Sequence, residues 1–237
     1  MPLERLDKIL TSQNCGSRKE VGVLIRHGAV TVNGAAVFKA DSKADAETDK
    51  ITVHGEPINY KRNTYIMMNK PQGVLSAARD SRMKTVVDLL EPTLFRKGLF
   101  PAGRLDRDTE GLLILTDDGE FSHHMLAPKS HVFKLYHAVI DAPVTAEDIK
   151  EFEQGLVIGD LTCLPAELVV LQEGENPLVQ IKIREGKFHQ VKRMFRATGK
   201  NVLQLKRVQI GQLKLDPNLK PGQARELNIS EKNLIFM

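Results

Sequence analysis

The sequence predicts an α+β chain in two units: a small unit of helices and hairpins over residues 1–60, and a larger one over residues 64–237 built on a mixed sheet. Three observations carry this reading. Strand patterns outnumber helical ones, they are joined both by tight turns and by helix-length crossovers, and the polar bridge INYKRNT (Ile58 to Thr64) parts two stretches with separate apolar patterns. At 237 residues, 41% of them hydrophobic, the chain can build a proper core.

In the first unit, Leu6, Ile9 and Leu10 have helical spacing. Ser17 with Glu20 three residues on is a capping-box pattern, and Val21, Val23, Leu24 and Ile25 carry a second helix to Gly28, a natural stop. AVTVNGAAV reads as strand, Asn33-Gly34 turn and strand. DKITVHGEPI closes the unit with another strand, and the acidic stretch Asp41 to Asp49 is expected to be a loop.

The second unit opens with a buried strand, Tyr65 to Met68, halted by Pro71 and Gly73. TVVDLL is a short helix, LILTDD a strand ending in a tight turn at Asp118-Gly119, and EFSHHMLA a helix. KLYHAVI, ELVVLQ and LVQIKIREG read as strands, TAEDIKEFEQG as a helix, and HQVKRMFRATG as the last clear helix, stopped by Gly199.

Charge narrows the partner. The net charge of +4 is modest but uneven: from Lys182 to Arg207 there are nine Lys or Arg residues and one acid, Glu185. Such a run is often only a solvated face, yet the interleaved Phe188, Met194, Phe195 and Leu203 mark it as folded. A folded basic surface suits a polyanion, because each neutralised phosphate releases condensed counterions. No segment approaches the ~20 apolar residues of a membrane span, and MPLERLDKIL lacks the apolar stretch of a signal peptide. Cys15 and Cys163 do not make a disulfide framework or a zinc site. The expectation is a cytoplasmic protein with no membrane partner.

Several candidates for chemistry fall away. His123 and His124 point about 100° apart on a helix and cannot share a metal; no HExxH, CxxC or phosphate-cradling glycine loop is present, so no metal site is expected. Asp117 and Asp118 precede a glycine, where turn chemistry is the usual role. Ser76 lacks the glycines of a nucleophile elbow. Asp106, flanked by Arg104 and Arg107 ahead of an apolar strand, stands apart. The adjacent positive charge favours its ionised form, which suits nucleophilic or base work better than proton donation. Arg–Asp pairs are also commonly structural, so the pattern alone leaves the question open.

Two resemblances extend the reading. RLDKIL followed by GSRKEVGVLIRHGAVTVNG resembles the ribosomal-protein-S-four-like (alpha-L) RNA-binding domain. In that family two short helices present basic residues to RNA, which implies Arg5, Lys8, Arg18, Lys19 and Arg26 as RNA-facing, with Ser17 beside them at a helix N-terminus. GRLDRDTEGLLILTDDG, with NKPQG before it and FKLY and EGKFHQVKRMF after it, resembles the pseudouridine synthases, nearest the RsuA-type branch that modifies small-subunit ribosomal RNA.

The second resemblance covers nearly the whole chain and implies a pseudouridine synthase catalytic domain after the alpha-L domain. Asp106 corresponds to the aspartate such synthases need, Tyr136 to the tyrosine stacked on the target base, and Lys192 to the basic partner of the carboxylate. Arg104 is expected to extrude the base or bind its phosphate, and Lys70 and Pro71 to buttress the tyrosine side of the cleft. Lys134, His189 and Arg193 lie in the matching motifs as substrate-binding positions. The reaction breaks N1–C1′, turns the uracil and rejoins it through C5, so no cofactor is required. The expected partner is ribosomal RNA, free or in an assembly intermediate, and the chain is expected to act as a monomer.

Three rivals remain open. A non-catalytic RNA clamp would have no need of Asp106, Tyr136 and Lys192 together. A glycosidase needs a second carboxylate facing Asp106. A synthase for large-subunit ribosomal RNA would more often carry arginines where HQVKRMF has lysine.

Overall fold

The computed structural model describes residues 3–237 and divides into two compact units, one running to Thr64 and the other from Tyr65 to Met237.

In the first unit, strand β1 (Glu4–Arg5) leads into helix α1 (Leu6–Ser12), and α2 (Arg18–Arg26) follows. The capping box at Ser17 forms in full: Ser17 Oγ accepts from Glu20 N, and Glu20 Oε2 accepts from Ser17 N at 2.7 Å. Strands β2 (Val30–Val32) and β3 (Ala35–Ala36) flank the Asn33-Gly34 turn, whose residues both have positive φ, 51° and 84°. That left-handed pair is the geometry of a type I′ hairpin. Strand β4 (Lys43–Ala44) pairs with β1 inside the stretch expected to be a loop. The stretch expected to be one closing strand is a second hairpin, β5 (Ile51–Val53) and β6 (Glu56–Pro57), turned at His54-Gly55 with φ of 52° and 84°. Histidine takes the place usually held by Asn or Asp there, which hides the signal. Leu6, Ile9, Leu10, Val21, Ile25, Val30 and Ile51 close the core of this unit.

The second unit is organised by one nine-stranded mixed sheet. In chain order its first part holds β7 (Tyr65–Lys70), β8 (Phe100–Ala102), β9 (Glu110–Thr116), helix α3 (Gly119–Leu126), β10 (Lys134–Ile140) and helix α4 (Ala146–Gln154). A small hairpin of β11 (Val157–Ile158) and β12 (Leu161–Thr162) comes next. The chain then returns to the sheet with β13 (Glu167–Gln172) and β14 (Leu178–Ile183), and ends with helix α5 (Gln190–Ala197), β15 (Val202–Ile210), β16 (Leu213–Lys214), β17 (Ala224–Glu226) and helix α6 (Ile229–Leu234). Strand order is β13-β14-β10-β15-β9-β7-β17, with β8 on β9 and β16 on β15. The β15–β9 pair is parallel and the others are antiparallel. TVVDLL contributes a 3₁₀ turn, Val87–Leu89.

Burial explains the pattern of β9. Leu113 and Leu115 enter one core, Leu112 and Ile114 the other, so a strand covered on both faces reads as a continuous apolar run. On β10 only alternate residues, Lys134, Tyr136, Ala138 and Ile140, are buried. The junction after β9 is not the tight turn expected at Asp118-Gly119. Asp118 instead caps α3, accepting from Phe121 N at 3.0 Å, while also accepting from Tyr65 Oη. Asp117 pairs with Arg96 at 3.2 Å. No helix among the described residues is long and apolar enough to cross a membrane.

Candidate active site

Asp106 lies in the loop between β8 and β9, and the backbone around it is anchored from two sides. Before it, Ser76 Oγ donates to Leu105 O at 2.8 Å and accepts from Leu105 N at 3.1 Å. Behind it, the fully buried ammonium of Lys70 donates to the carbonyls of Asp106 and Thr109, both at 3.0 Å, and more weakly to Arg107. Burial pushes Lys70 down to about 8, while Asp108, Asp106 and Glu110 nearby oppose that shift. Thr109 N closes the turn onto Asp106 O at 3.1 Å.

Thus held, the Asp106 carboxylate faces an imidazole and an ammonium from the start of α5. His189 Nε2 is 3.6 Å from one oxygen and Lys192 Nζ is 3.6 Å from the other. Lys192 makes a closer pair with Asp108, at 2.5 Å, and that hydrogen bond holds the Asp108 carboxyl below its usual range. His189 is the N-cap residue of α5 and has a left-handed φ of 50°.

Tyr136 comes from β10, and its ring lines the same pocket as Asp106, His189 and Lys192. It is only 7% exposed and also belongs to the main core. Beside it on β15, buried Arg207 donates Nε–H to Leu112 O at 2.8 Å and reaches the Tyr136 hydroxyl from Nη1 at 3.5 Å. Among the described residues, Nη2 of Arg207 and Oγ1 of Thr109, both buried, have no hydrogen-bond partner. The β9–β15 contact is so close that a Cβ on Gly111 would lie 2.2 Å from Arg207 O; only glycine fits.

Of the residues the sequence singled out, Arg104, Asp106, Tyr136, His189 and Lys192 line one pocket, and Arg104 is exposed at it. Four are placed elsewhere. Lys70 supports the aspartate loop rather than the tyrosine side, because the carbonyls that solvate its buried charge are those of that loop. Pro71 follows it, half-buried, its carbonyl accepting from Lys70 at 3.0 Å. Lys134 is buried and donates to Val132 O at 2.7 Å, so its charge is turned inward. Arg193 of α5 is turned to the β11–β12 hairpin, bound to Asp160 at 2.7 Å and to Ile158 O. In the N-terminal unit Arg5, Lys8, Arg18, Lys19 and Arg26 are all exposed, with Arg5 paired to Asp7 at 2.8 Å and Lys8 to Glu4 at 2.9 Å. His123 and His124 belong to no cluster able to hold a metal among the described residues.

Sequence reasoning missed Ser76 as a loop anchor, and no local signal marks it. It also missed Arg207, for which a signal exists: in LQLKRVQI the arginine falls in phase with buried Leu205. The basic segment is folded, but Phe188 and Leu203 do not enter its core; they are 74% and 54% exposed.

Comparison with known proteins agrees with this arrangement. The S4 domain model matches residues 4–48, and the model described as RNA pseudouridylate synthase matches residues 64–197. An RNA pseudouridine synthase of Bacillus subtilis is 46% identical over 98% of each chain. Ribosomal small subunit pseudouridine synthase A of Escherichia coli is 39% identical over 96% of this chain and 97% of its own. A crystal structure of pseudouridylate synthase superposes with a TM-score of 0.67 at 34% identity, covering 98% of this chain and 99% of that one. The carboxylate pocket on the mixed sheet, the N-terminal unit and the whole-length relatives lead to one conclusion: this chain belongs to the RNA pseudouridylate synthase family and carries an S4 domain at its N-terminus.

Proposed function

We propose that the chain converts a uridine of small-subunit ribosomal RNA to pseudouridine, with Asp106 as the acting carboxylate. The observation that carries this is the convergence of Asp106, Tyr136, His189 and Lys192 on one pocket from three distant parts of the chain. A base inside a helix cannot be handled there, so the uridine is flipped out and its uracil rests against Tyr136. The carboxylate then has the ribose and the ring within its reach. Attack on C1′, removal of the 2′ proton and addition to the uracil ring each use the same group. In every case N1–C1′ breaks, C1′–C5 forms, the C5 proton leaves and N1 gains one, with no net change in oxidation state. Lys192 Nζ and His189 Nε2, each 3.6 Å from a carboxylate oxygen, flank the acting group, and the ammonium sets a positive charge beside it. Lysine in place of arginine supplies that charge without a bidentate fork.

The small-subunit target is supported by the relatives from Escherichia coli and Vibrio cholerae, both named ribosomal small subunit pseudouridine synthase A. A division of labour between residues 1–60 and residues 64–237 gives RNA capture to the first and chemistry to the second. Arg18, Lys19 and Arg26 are exposed basic residues available for capture. On this reading the chain acts as a monomer in the cytoplasm.

Tritium release from small-subunit transcripts labelled at C5 tests the reading, together with mapping of pseudouridine in ribosomal RNA from cells with and without the gene. Asp106→Asn should release tritium more than ~10³-fold more slowly while keeping RNA affinity. Activity above a tenth of wild type in that variant, or a missing pseudouridine only in large-subunit RNA, would refute the corresponding part.

A further inference from the structure

We propose that Phe188 and His189 form a second nucleobase subsite at the lip of the pocket, which stacks on the base flanking the flipped uridine. This rests on the function proposed above and extends it from the target base to its neighbour.

Phe188 is 74% exposed, the most exposed aromatic ring among the described residues. It is also held in a defined pose. Its ring lies on that of His189, centroids 3.9 Å apart and planes inclined by 17°. In an extended backbone consecutive side chains point to opposite sides; the left-handed φ of 50° at His189 breaks that alternation. The inner member of the stack, His189, is 3.6 Å from the Asp106 carboxylate through Nε2. Two parallel rings therefore lead outward from Asp106, and the outer one offers an aromatic face to solvent.

The surroundings define the ligand. Lys187, Lys192 and Arg104 line the adjoining pocket, a setting for phosphodiester charge. Extruding a uridine removes a stacking partner from each neighbouring base. An open aromatic face beside the pocket can replace one of them, and any base fits because every base has a π-face. Phe188 thus selects for a displaced neighbour rather than for its identity, and it acts on binding and positioning, not on the bonds that change.

The test uses the intact enzyme, single turnover, and a small-subunit ribosomal RNA transcript carrying the mapped uridine. From the roughly 5- to 150-fold that base–aromatic stacking supplies, Phe188→Ala should raise the half-saturating concentration by ~10- to 30-fold, with the maximal rate changed less than about threefold. Phe188→Tyr and Phe188→Trp should restore wild-type behaviour and Phe188→Leu should not, while thermal unfolding stays constant in all four. An abasic nucleotide at one flanking position should abolish the difference between wild type and Phe188→Ala.

Full function in Phe188→Leu, or a penalty that persists with abasic nucleotides at each flank in turn, would overturn the subsite. Affinity measured on an Asp106→Asn background separates the two ideas. Failure of the wild type to release tritium sinks the isomerisation reading alone. Equal affinity of Asp106→Asn with and without Phe188→Ala sinks the subsite.

Discussion

The ammonium of Lys70 donates to the backbone carbonyl of Asp106 at 3.0 Å, so a buried cation on one strand fixes the residue that presents the carboxylate. Its hydrogen bonds to the Pro71 and Thr109 carbonyls, also at 3.0 Å, spread that hold over the whole turn. Lys70→Met keeps most of the apolar stem of the side chain and removes the donors. A displacement of about 1 Å at a reacting group can cost ~10²-fold. Turnover should therefore fall about 10²-fold with RNA affinity retained, measured by tritium release alongside equilibrium binding. Wild-type turnover in Lys70→Met would show that the loop holds itself.

Tyr136 is both wall and filler. Being 7% exposed, it packs in the main core as well as lining the pocket, so the alanine change removes both contributions. Tyr136→Ala should lose roughly 3–5 kcal/mol of stability, as large aromatic truncations do. Tyr136→Phe deletes only the hydroxyl and its long 3.5 Å contact with Arg207. It should unfold within about 1 kcal/mol of wild type and retain most substrate engagement. Urea denaturation and half-saturation measured on both variants decide the matter; equal stability of the two would contradict the core assignment.

Lys134 gives a stability that varies with pH. Burial pushes it down to about 8 from an ordinary 10.5, with Arg207 adding to the effect. Below about 8 the folded chain holds a buried charge that the unfolded chain keeps in water, so the group costs stability. Between 8 and 10.5 the unfolded side chain binds a proton that the folded one has lost, and the cost falls away as pH rises. Lys134→Met should gain about 1–3 kcal/mol at pH 7, after allowance for the missing bond to Val132 O. The gain should vanish near pH 10.5. An equal gain at both pH values in urea unfolding would exclude this origin.

Removing residues 1–64 should leave a folded unit, because the division between Thr64 and Tyr65 separates two cores, each closed by its own residues. Affinity for ribosomal RNA should fall and depend less on salt. If the N-terminal unit neutralises three or four phosphates, its removal should flatten the slope of log affinity against log salt by roughly two to four units. At low salt and saturating RNA, turnover should return toward that of the intact chain. A folded truncation that stays inactive there would assign the N-terminal unit a part in chemistry.

Much of this was legible because local rules and tertiary structure agree. The Ser17 capping box, the Asn33-Gly34 hairpin, β10 and β13 follow from short-range patterns, and the motif around Asp106 marks the site. The misses among the charged residues share a cause: they depend on which groups the fold buries. Lys70 and Lys134 are basic residues in strand patterns, and nothing local tells a buried lysine from one that reaches solvent. What decides is the presence of backbone carbonyls within reach. Strand β15 lies between β10 and β9 in the sheet, yet its charged residues Lys206 and Arg207 disguise it as part of a basic surface. Only the register, with Arg207 opposite Tyr136 and Gly111, shows why one of those charges is inside.

The same register sets an order of events during synthesis. The N-terminal unit is complete once Thr64 has been made, while the pocket needs β15, which ends at Ile210. Translation adds about 5–20 residues per second, so on the order of ten seconds separate the two. For that interval the growing chain can have a finished helical unit with exposed Arg18, Lys19 and Arg26 but no assembled carboxylate pocket. Its capacity to meet RNA precedes its capacity to alter it, and a chain cut short before β15 would be an adhesive without an edge.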